Sequence, residues 1–301
     1  EYAIYPKDEG FKGYQGEIIV PFSPESILSG VEKVVTENDV LYYHRKFTFV
    51  KENDRALLHF GAVDYLSEVI LNGVSVGKNR GGYFPFSFDV TEAIKEGEND
   101  LEVIVTDPTD KGTQARGKQS NKRGGIWYTP QSGIWQTVWA ECIPKDCVRS
   151  LHITSDFDHA CVNVRADVVG ESKAYALFDG QQYPLPASIP VPGFEPWSPE
   201  NPKLYDFSVI CGADRVESYF AMRKFSVEAD ENGVKRLFLN GKPYFHNGLL
   251  DQGYWSDGMY TAPSDEALIF DIQTAKDMGF NMLRKHIKIE PLRWYYHCDR
   301  L

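Results

Sequence analysis

The sequence predicts a mainly β protein whose C-terminal part changes to alternating strands and helices. Over residues 1–222, short runs rich in β-branched and aromatic residues are separated by Gly, Asn, Asp and Pro. Many short antiparallel strands of this kind are typical of sandwiches and jelly rolls. After Arg223 the order becomes strand, helix, strand, helix, which is the beginning of a parallel α/β arrangement.

Residues 1–143 are predicted to form a sandwich of the jelly-roll type. The run LYYHRKFTF (41–49) alternates between two faces, as a half-buried strand does. In EVILNGVSVG (68–77), Asn72 and Gly73 separate two β-rich runs, which indicates a two-residue hairpin turn. Further strands are predicted in YFPFSFDV, NDLEVIVTD and GIWQTVWAE, and the tryptophans of SGIWQTVW are assigned to core and turn.

Residues 144–222 are predicted to form a second, smaller β domain. The runs HITSDF, CVNVRADVVG, KAYALFDG and YDFSVICG have the length of strands and the spacing of an immunoglobulin-like sandwich. The Pro-rich stretch LPASIPVPGFEPWSPENP is predicted to be a loop or an edge strand, because missing N–H donors do no harm there.

Residues 223–301 are predicted to begin the α/β part. RLFLNGKPYFHNGLL indicates another Asn-Gly hairpin, followed by a buried strand that ends near Asp251. A helix is predicted over APSDEALIFDIQTAKDMG, with Ser264 as its N-cap. A strand over 280–283 and a helix beginning at Pro291 follow.

Composition narrows the classes of partner. With 42% hydrophobic and 14% aromatic residues the chain can bury large cores, and no run reaches the ~20 apolar residues of a membrane-spanning helix. The net charge of −11 disfavours nucleic acid and anionic membrane surfaces as partners and leaves neutral or cationic ligands open. The compartment stays undetermined.

Motifs for metals, nucleotides and common cofactors are absent from the sequence. It contains no G-x-G-x-x-G, P-loop, H-E-x-x-H or G-x-S-x-G pattern, and its seven histidines are scattered, so neither a cofactor nor a metal is predicted. The cysteines are interpreted as buried thiols, with a Cys142–Cys147 disulfide as the less favoured alternative. The five cysteines are Cys142, Cys147, Cys161, Cys211 and Cys298.

Six stretches, in this chain order, resemble glycoside hydrolase family 2, the group of β-galactosidases, β-glucuronidases and β-mannosidases. VDYLSEVILNGVSVGKNRGGYFPFSFDVT is similar to the family's sugar-binding jelly roll, and SGIWQTVWAE to the strand that closes it. PWSPENPKLYDFSV with MRKFSV resembles its immunoglobulin-like domain and the exit from it. FLNGKPYFHNG and DIQTAKDMGFNMLRKHIKIEPLRWYYHCDRL resemble the first two βα units of its TIM barrel. The resemblance implies that residues 223–301 are the start of a truncated (β/α)8 barrel.

The resemblance also implies a reaction. Retaining glycosidases use two carboxyl groups ~5 to 5.5 Å apart, one as proton donor and one as nucleophile. In the resembling enzymes both are glutamates on the fourth and seventh strands of a barrel that takes ~250 residues. In these enzymes the proton donor stands in an Asn-Glu pair, and no such dipeptide follows Arg223. Only 79 residues follow residue 222, which is too few to reach a fourth or a seventh barrel strand, so neither glutamate can be assigned here. We therefore expect the N-terminal portion of a β-galactosidase-like retaining exo-β-glycosidase, inactive alone, with EYAIYP entering its first strand midway.

Four residues at predicted strand ends are candidate substrate contacts: His286, Asp251, Lys285 and Gln252. At residues 284–288 this chain reads Arg-Lys-His-Ile-Lys, whereas the family has Arg-x-Ser-His-x-Pro, so this chain is one residue shorter and lacks the Ser. The His of the family's pattern contacts the sugar, and the resemblance implies that role for His286. Asp251 has the alternative of capping the following loop. For Arg284 and Lys285 the alternatives are a barrel ion pair and a solvated rim charge.

Aromatic and loop residues give weaker candidates. Tyr254 and Trp255 offer a flat face to a sugar ring, although burial beneath a loop is the commoner role. In some family members the region of loop 117–131 reaches the active site, but a solvated loop is the favoured interpretation here. Its polar candidates are Asn121, Lys122 and Arg123.

Three functions remain open from the sequence: the glycosidase portion, a non-catalytic carbohydrate-binding protein, and a purely structural β-sandwich protein. A carbohydrate is the expected partner, a homo-oligomer is compatible with the sequence, and the sugar cleaved is undetermined. Because two βα units expose open strand edges, we expect residues 223–301 to be the least stable part and to lean on the first domain or on a neighbouring molecule.

Overall fold

The computed structural model describes all 301 residues and is mainly β, as the sequence predicts. It contains two α-helices, α1 (Asp265–Asp277) and α2 (Leu292–Arg300), and one short 3₁₀ helix, Ile27–Ser29. The strands are β1 (Tyr2–Pro6), β2 (Asp39–Phe49), β3 (Arg55–Phe60), β4 (Val63–Asp64), β5 (Leu66–Leu71), β6 (Val74–Arg80), β7 (Phe86–Asp89), β8 (Gly97–Thr106), β9 (Gly133–Ile134), β10 (Val138–Ile143), β11 (Cys147–Asp156), β12 (Cys161–Val169), β13 (Ala174–Phe178), β14 (Gln181–Pro184), β15 (Ala187–Pro190), β16 (Tyr205–Cys211), β17 (Asp214–Phe220), β18 (Phe225–Ala229), β19 (Lys235–Leu239), β20 (Lys242–Pro243), β21 (Gly248–Asp251) and β22 (Met282–Lys285).

Two antiparallel sheets form the first β unit. One has the strand order β1-β2-β8-β5-β6 and the other the order β10-β3-β7. Both sheets contribute to one hydrophobic core, which Leu41 and Val103 enter from the first sheet and Phe60 from the second. Alternate residues of β3 and β8 are buried, so each strand has one core face, as the period-2 pattern requires.

The predicted Asn72-Gly73 hairpin is confirmed. Leu71 pairs with Val74 across it, and the φ angles of Asn72 and Gly73 are 53° and 79°. Positive φ at both central residues defines the turn that matches strand twist, which is why Asn-Gly is favoured. The Asn72 side chain also accepts a hydrogen bond from the Asp100 N–H at 3.0 Å.

A second pair of sheets lies within residues 147–220. Their strand orders are β11-β12-β15 and β14-β13-β16-β17, and they share one core that includes Val164 and Val209. The Pro-rich stretch begins with β15 at a sheet edge and continues as a loop from 191 to 202, so each of the two predicted alternatives describes part of it. Strand β17 is not anticipated from the sequence because DRVESYF mixes charged and apolar residues, although Gly212 forms a turn directly before it.

The strands after Arg223 agree with the predicted order but not with the predicted burial. The second hairpin is confirmed, with Leu239 opposite Lys242 and positive φ at Asn240 and Gly241. Strand β21, however, is not the buried strand that was expected, since Leu250 is 53% exposed. An apolar run predicts burial only where another element packs against it, and in this chain no element covers the Leu250 side chain.

The helix and strand that follow are close to their predicted bounds. The Ser264 hydroxyl accepts a hydrogen bond from the Ala267 N–H at 3.2 Å, which confirms the N-cap. Strand β22 begins two residues later than predicted. The Asn281 and His286 N–H groups donate to the carbonyls of Asn247 and Asp251, so β21 and β22 run in the same direction.

The chain divides into two compact units. One comprises residues 1–142, 250–270 and 284–294, and the other comprises residues 143–249, 271–283 and 295–301. Residues 250–270 and 284–294 thus pack with the first β sheets, which confirms the expectation that part of the C-terminal region leans on the first domain. The three-domain division by sequence, at 143 and 222, stays a prediction.

Individual side chains correct two sequence assignments. All five cysteines are free thiols, but only Cys147 and Cys211 are buried, and the other three are half-buried. Trp135 lies in the core as assigned, whereas Trp139 is 44% exposed and stacks on the His59 ring. Neither α-helix has the length and apolar run needed to span a bilayer.

Candidate functional site

The ends of β21 and β22 bring together the residues that the sequence singles out. The His286 N–H donates to the Asp251 carbonyl at 2.8 Å, so the two residues lie side by side at the same height of the two strands. Both are half-buried, and the Asp251 side chain keeps 24% of its surface exposed. Gln252 follows directly, and its buried Oε1 atom has no hydrogen-bond donor within the chain.

Lys285 is held by two carboxylates. Its Nζ lies 2.7 Å from Asp251 Oδ2 and 2.6 Å from Glu290 Oε1, and 4.4 Å above the centre of the Trp294 ring. The ion pair that the sequence offers as an alternative is therefore formed by Lys285, and Arg284 is the exposed charge. The structure reverses the two alternative roles.

Asp251 also caps the loop after its strand. Its Oδ1 accepts a hydrogen bond from the Gly253 N–H at 2.8 Å, while Oδ2 faces Lys285. Each carboxylate oxygen has two lone pairs, so both still have capacity for a ligand hydroxyl. The capping alternative is confirmed, and the sugar contact stays a prediction.

Lys288 and Glu290 belong to the same cluster of charges and were not predicted from the sequence. The Lys288 side chain is 0% exposed, and its ammonium donates to the Gly253 carbonyl at 2.5 Å and the Tyr260 carbonyl at 2.7 Å. A third partner, Glu290 Oε2, lies 3.1 Å away. An ammonium group has three N–H donors, so these three acceptors satisfy it.

Electrostatics in this cluster are dominated by burial. Removal from water lowers the pKa of Lys288 to about 8, against the opposing effect of Glu290. The cluster contains two lysines and two carboxylates, so it is neutral overall when all four are charged. A balanced buried network of this kind avoids the large cost of an uncompensated charge.

Gly253 is the backbone position that this cluster requires. Its φ is 59°, and a Cβ there would meet the Glu290 carboxylate and would lie 2.8 Å from the Lys288 Nζ and 3.0 Å from the Lys285 Nζ. Only glycine combines this conformation with that close approach. The turn after β21 is thus shaped around the two ammonium groups.

Aromatic side chains fix the same turn on the first β unit. The Tyr254 ring stacks on the Tyr128 ring with centroids 4.2 Å apart, and its hydroxyl donates to the Thr129 carbonyl. Burial raises the pKa of Tyr254 above its ordinary value. Trp255 is half-buried and pairs with Met259 through its backbone. These contacts favour the structural role for Tyr254.

Loop 117–131 keeps its polar side chains occupied or solvated. The Asn121 side chain donates to Thr109 Oγ1 at 3.0 Å and to Asp110 Oδ1 at 3.1 Å. Lys122 and Arg123 are exposed. The solvated-loop interpretation therefore describes what these three residues do in this chain.

The arrangement presents several hydrogen-bonding groups at one edge of the two strands. Glu290 is closed off from solvent, while Asp251, His286 and Gln252 offer acceptor and donor atoms at one edge. Clusters of half-buried hydrogen-bonding groups at strand ends suit a polar, hydroxyl-rich ligand. Lys288 and Glu290 could have been suspected from the alternation of polar and apolar residues in HIKIE (286–290), although the Lys288 contacts depend on residues 28 and 35 positions away.

Comparisons with known proteins show which family domain and which relatives the chain is similar to. Residues 28–137 match the family model described as "Glycosyl hydrolase 2 galactose-binding domain-like". The β-galactosidase of Leuconostoc mesenteroides is 27% identical over 89% of the chain, and a putative β-glucuronidase of Formosa agariphila is 28% identical over 84%. The chain spans 28% and 32% of the lengths of these two relatives.

Solved structures show the same fold. The Faecalibacterium prausnitzii β-glucuronidase superposes with a TM-score of 0.80 at 20% identity, covering 99% of this chain and 56% of its own. A family 2 β-galacturonidase from Eisenbergiella tayi bound to glycerol gives 0.78 at 21% identity, covering 99% and 54%. At these identities the likeness concerns the fold.

Proposed function

We propose, from the chain's relationship to glycoside hydrolase family 2, that it is the N-terminal portion of a retaining exo-β-glycosidase. That enzyme would hydrolyse terminal β-linked sugars of oligosaccharides. The chain would supply a jelly roll (1–143), an immunoglobulin-like sandwich (144–222) and the first βα units of a (β/α)8 barrel (223–301). The names and partial coverage of the relatives support this arrangement.

The observation that carries the proposal is the pairing of Asp251 and His286 at the ends of two parallel strands joined by a helix. In a (β/α)8 barrel the active site lies at the carboxyl ends of the strands. Their position at these strand ends supports a role for the two residues in contacting the substrate.

Each proposed site residue has a separate role. Asp251 accepts hydrogen bonds from sugar hydroxyls, His286 contacts the same sugar from the adjacent strand, and Gln252 offers its amide. Lys285 acts through Asp251, whose carboxylate it holds at 2.7 Å. The two catalytic glutamates would be supplied by later strands of the barrel.

The test uses the complete gene product and chromogenic β-galactoside, β-glucuronide and β-mannoside. We expect hydrolysis of at least one substrate, with a rate that depends on Asp251. Replacing Asp251 with Asn should lower kcat/KM by about ten- to a hundredfold, since a hydrogen-bonding site that loses one member leaves its partners unpaired.

A complete gene product that binds simple sugars but hydrolyses none of the three substrates would favour the alternative, a non-catalytic carbohydrate-binding protein. Absence of both binding and hydrolysis would overturn both proposals. Exposed Arg284, replaced by Ala, is the matched control and should leave the rate unchanged.

A further inference from the structure

The turn that follows β21 is held at both ends by one buried lysine. Lys288 donates to the carbonyl of Gly253, where the turn begins, and to the carbonyl of Tyr260, where it ends. Its side chain is wholly enclosed, and its ammonium lies 4.7 Å from the centre of the Tyr260 ring and 5.5 Å from that of Trp135. No ligand can reach this group, so any role it has is exerted through its neighbours.

A continuous series of opposite charges joins Lys288 to the proposed sugar contact. Lys288 faces Glu290 Oε2, and the other oxygen of Glu290 faces the Lys285 ammonium. That ammonium in turn faces Asp251 Oδ2. Every member has an opposite charge within 3.1 Å, so losing the charge of one member unbalances the cluster and changes the electrostatic forces on the others.

The C-terminal end of this turn is bound to residues that lie far earlier in the chain. The Tyr260 N–H donates to Gln131 Oε1 at 3.2 Å, and the Thr261 hydroxyl donates to the Trp135 carbonyl at 2.6 Å. Tyr260 also packs with Tyr83 and Trp135 in a small core. The turn that Lys288 closes is thereby attached to residues of the same compact unit that lie far away in the sequence.

We propose that Lys288 is a positioning residue that closes the turn 253–260 and, through Glu290 and Lys285, sets the orientation of the Asp251 carboxylate. The enclosed side chain, the three satisfied donors and the glycine required at 253 support it. The inference deepens the proposed function, because Asp251 is the sugar contact there. Its test involves no sugar, so its failure and that of the proposed function are distinguishable.

The first measurement follows hydrogen exchange in the 301-residue chain with Lys288 replaced by Met. We expect amides of residues 253–260 to exchange at least about tenfold faster, because two carbonyls lose their buried donor. Amides of β8 should keep their protection. Lys95→Met, at an exposed lysine of the same unit, is the matched control.

A second variant distinguishes an effect of Lys288 on the turn from an effect on the stability of the whole chain. Lys288→Met leaves the buried cluster with one negative charge in excess, because Asp251 and Glu290 then share Lys285 alone. K288M/E290Q removes that excess charge and should recover much of the melting temperature. The turn should nevertheless stay fast-exchanging in the double variant. Recovery of turn protection together with melting temperature would show a merely structural role and overturn the proposal, as would normal protection in Lys288→Met.

The third measurement is spectroscopic and uses the wild-type chain. Because burial lowers the pKa of Lys288 to about 8, the Asp251 ¹³Cγ resonance should show an inflection near that pH as the ammonium loses its charge. Asp251→Asn assigns the resonance, and Lys288→Met should abolish the inflection. A wild-type resonance with no inflection, or one that persists in Lys288→Met, would contradict the coupling.

Discussion

For His286, a role in sugar binding and a role in packing predict clearly different effects of mutation. Its backbone N–H pairs β22 with β21, and that bond survives replacement by Ala. In the complete gene product we expect His286→Ala to lower kcat/KM by roughly ten- to a hundredfold with little change in melting temperature. If melting instead falls by several degrees and activity per folded molecule holds, His286 is a packing residue.

Glu25 gives a pH dependence that the fold itself predicts. Its carboxyl accepts hydrogen bonds from the Val35 and Ser132 N–H groups, and burial raises its pKa to about 8 from an ordinary 4.5. Between these values the folded chain holds a proton that the unfolded chain releases. This contribution to the free energy of unfolding is therefore fully present below pH ~4.5 and is lost as pH rises to about 8.

The corresponding prediction compares melting temperatures at pH 5, 6, 7 and 8. The wild type should lose stability over this range more steeply than Glu25→Gln, while Glu17→Gln at an exposed position should follow the wild type. Buried Asp107, whose pKa burial also raises, leaves a residual slope in the Glu25 variant. Equal slopes for the wild type and Glu25→Gln would refute the assignment.

At the scale of elements, exposure distinguishes the C-terminal strands from the first β unit. Phe225, Leu237 and Leu250 are more than half exposed, whereas alternate residues of β8 are buried. Strands with little buried apolar surface open locally at low free-energy cost. We expect faster hydrogen exchange after Arg223 than in residues 41–140, with 253–260 slower than the rest of that region. Uniform protection along the chain would count against this.

Local signals were readable from the sequence, and long-range contacts were not. The Asn72-Gly73 turn and the Ser264 cap depend on residues a few positions apart, and both were predicted. The Lys288 contacts join an irregular segment to carbonyls 28 and 35 residues away, which no period or turn motif encodes. The exposure of β21 was missed for a related reason: Leu249 and Leu250 report apolarity but not whether another element covers them.

At the scale of the whole molecule, the 301-residue chain is predicted to be catalytically silent. Retaining hydrolysis requires two carboxyl groups ~5 to 5.5 Å apart, and neither can be assigned here. Chromogenic β-galactoside, β-glucuronide and β-mannoside should show only the uncatalysed rate with the purified chain. Turnover that survives repurification and follows the protein through each column would disprove this.

The proposal that this chain belongs to a retaining exo-β-glycosidase is tested most directly by the stereochemistry of hydrolysis. The complete gene product is mixed with its aryl β-glycoside, and ¹H NMR records the anomeric protons before mutarotation. We expect the β-anomer of the free sugar to appear first and the α-anomer only later, by mutarotation. First appearance of the α-anomer, or no sugar release from any β-glycoside, would contradict it.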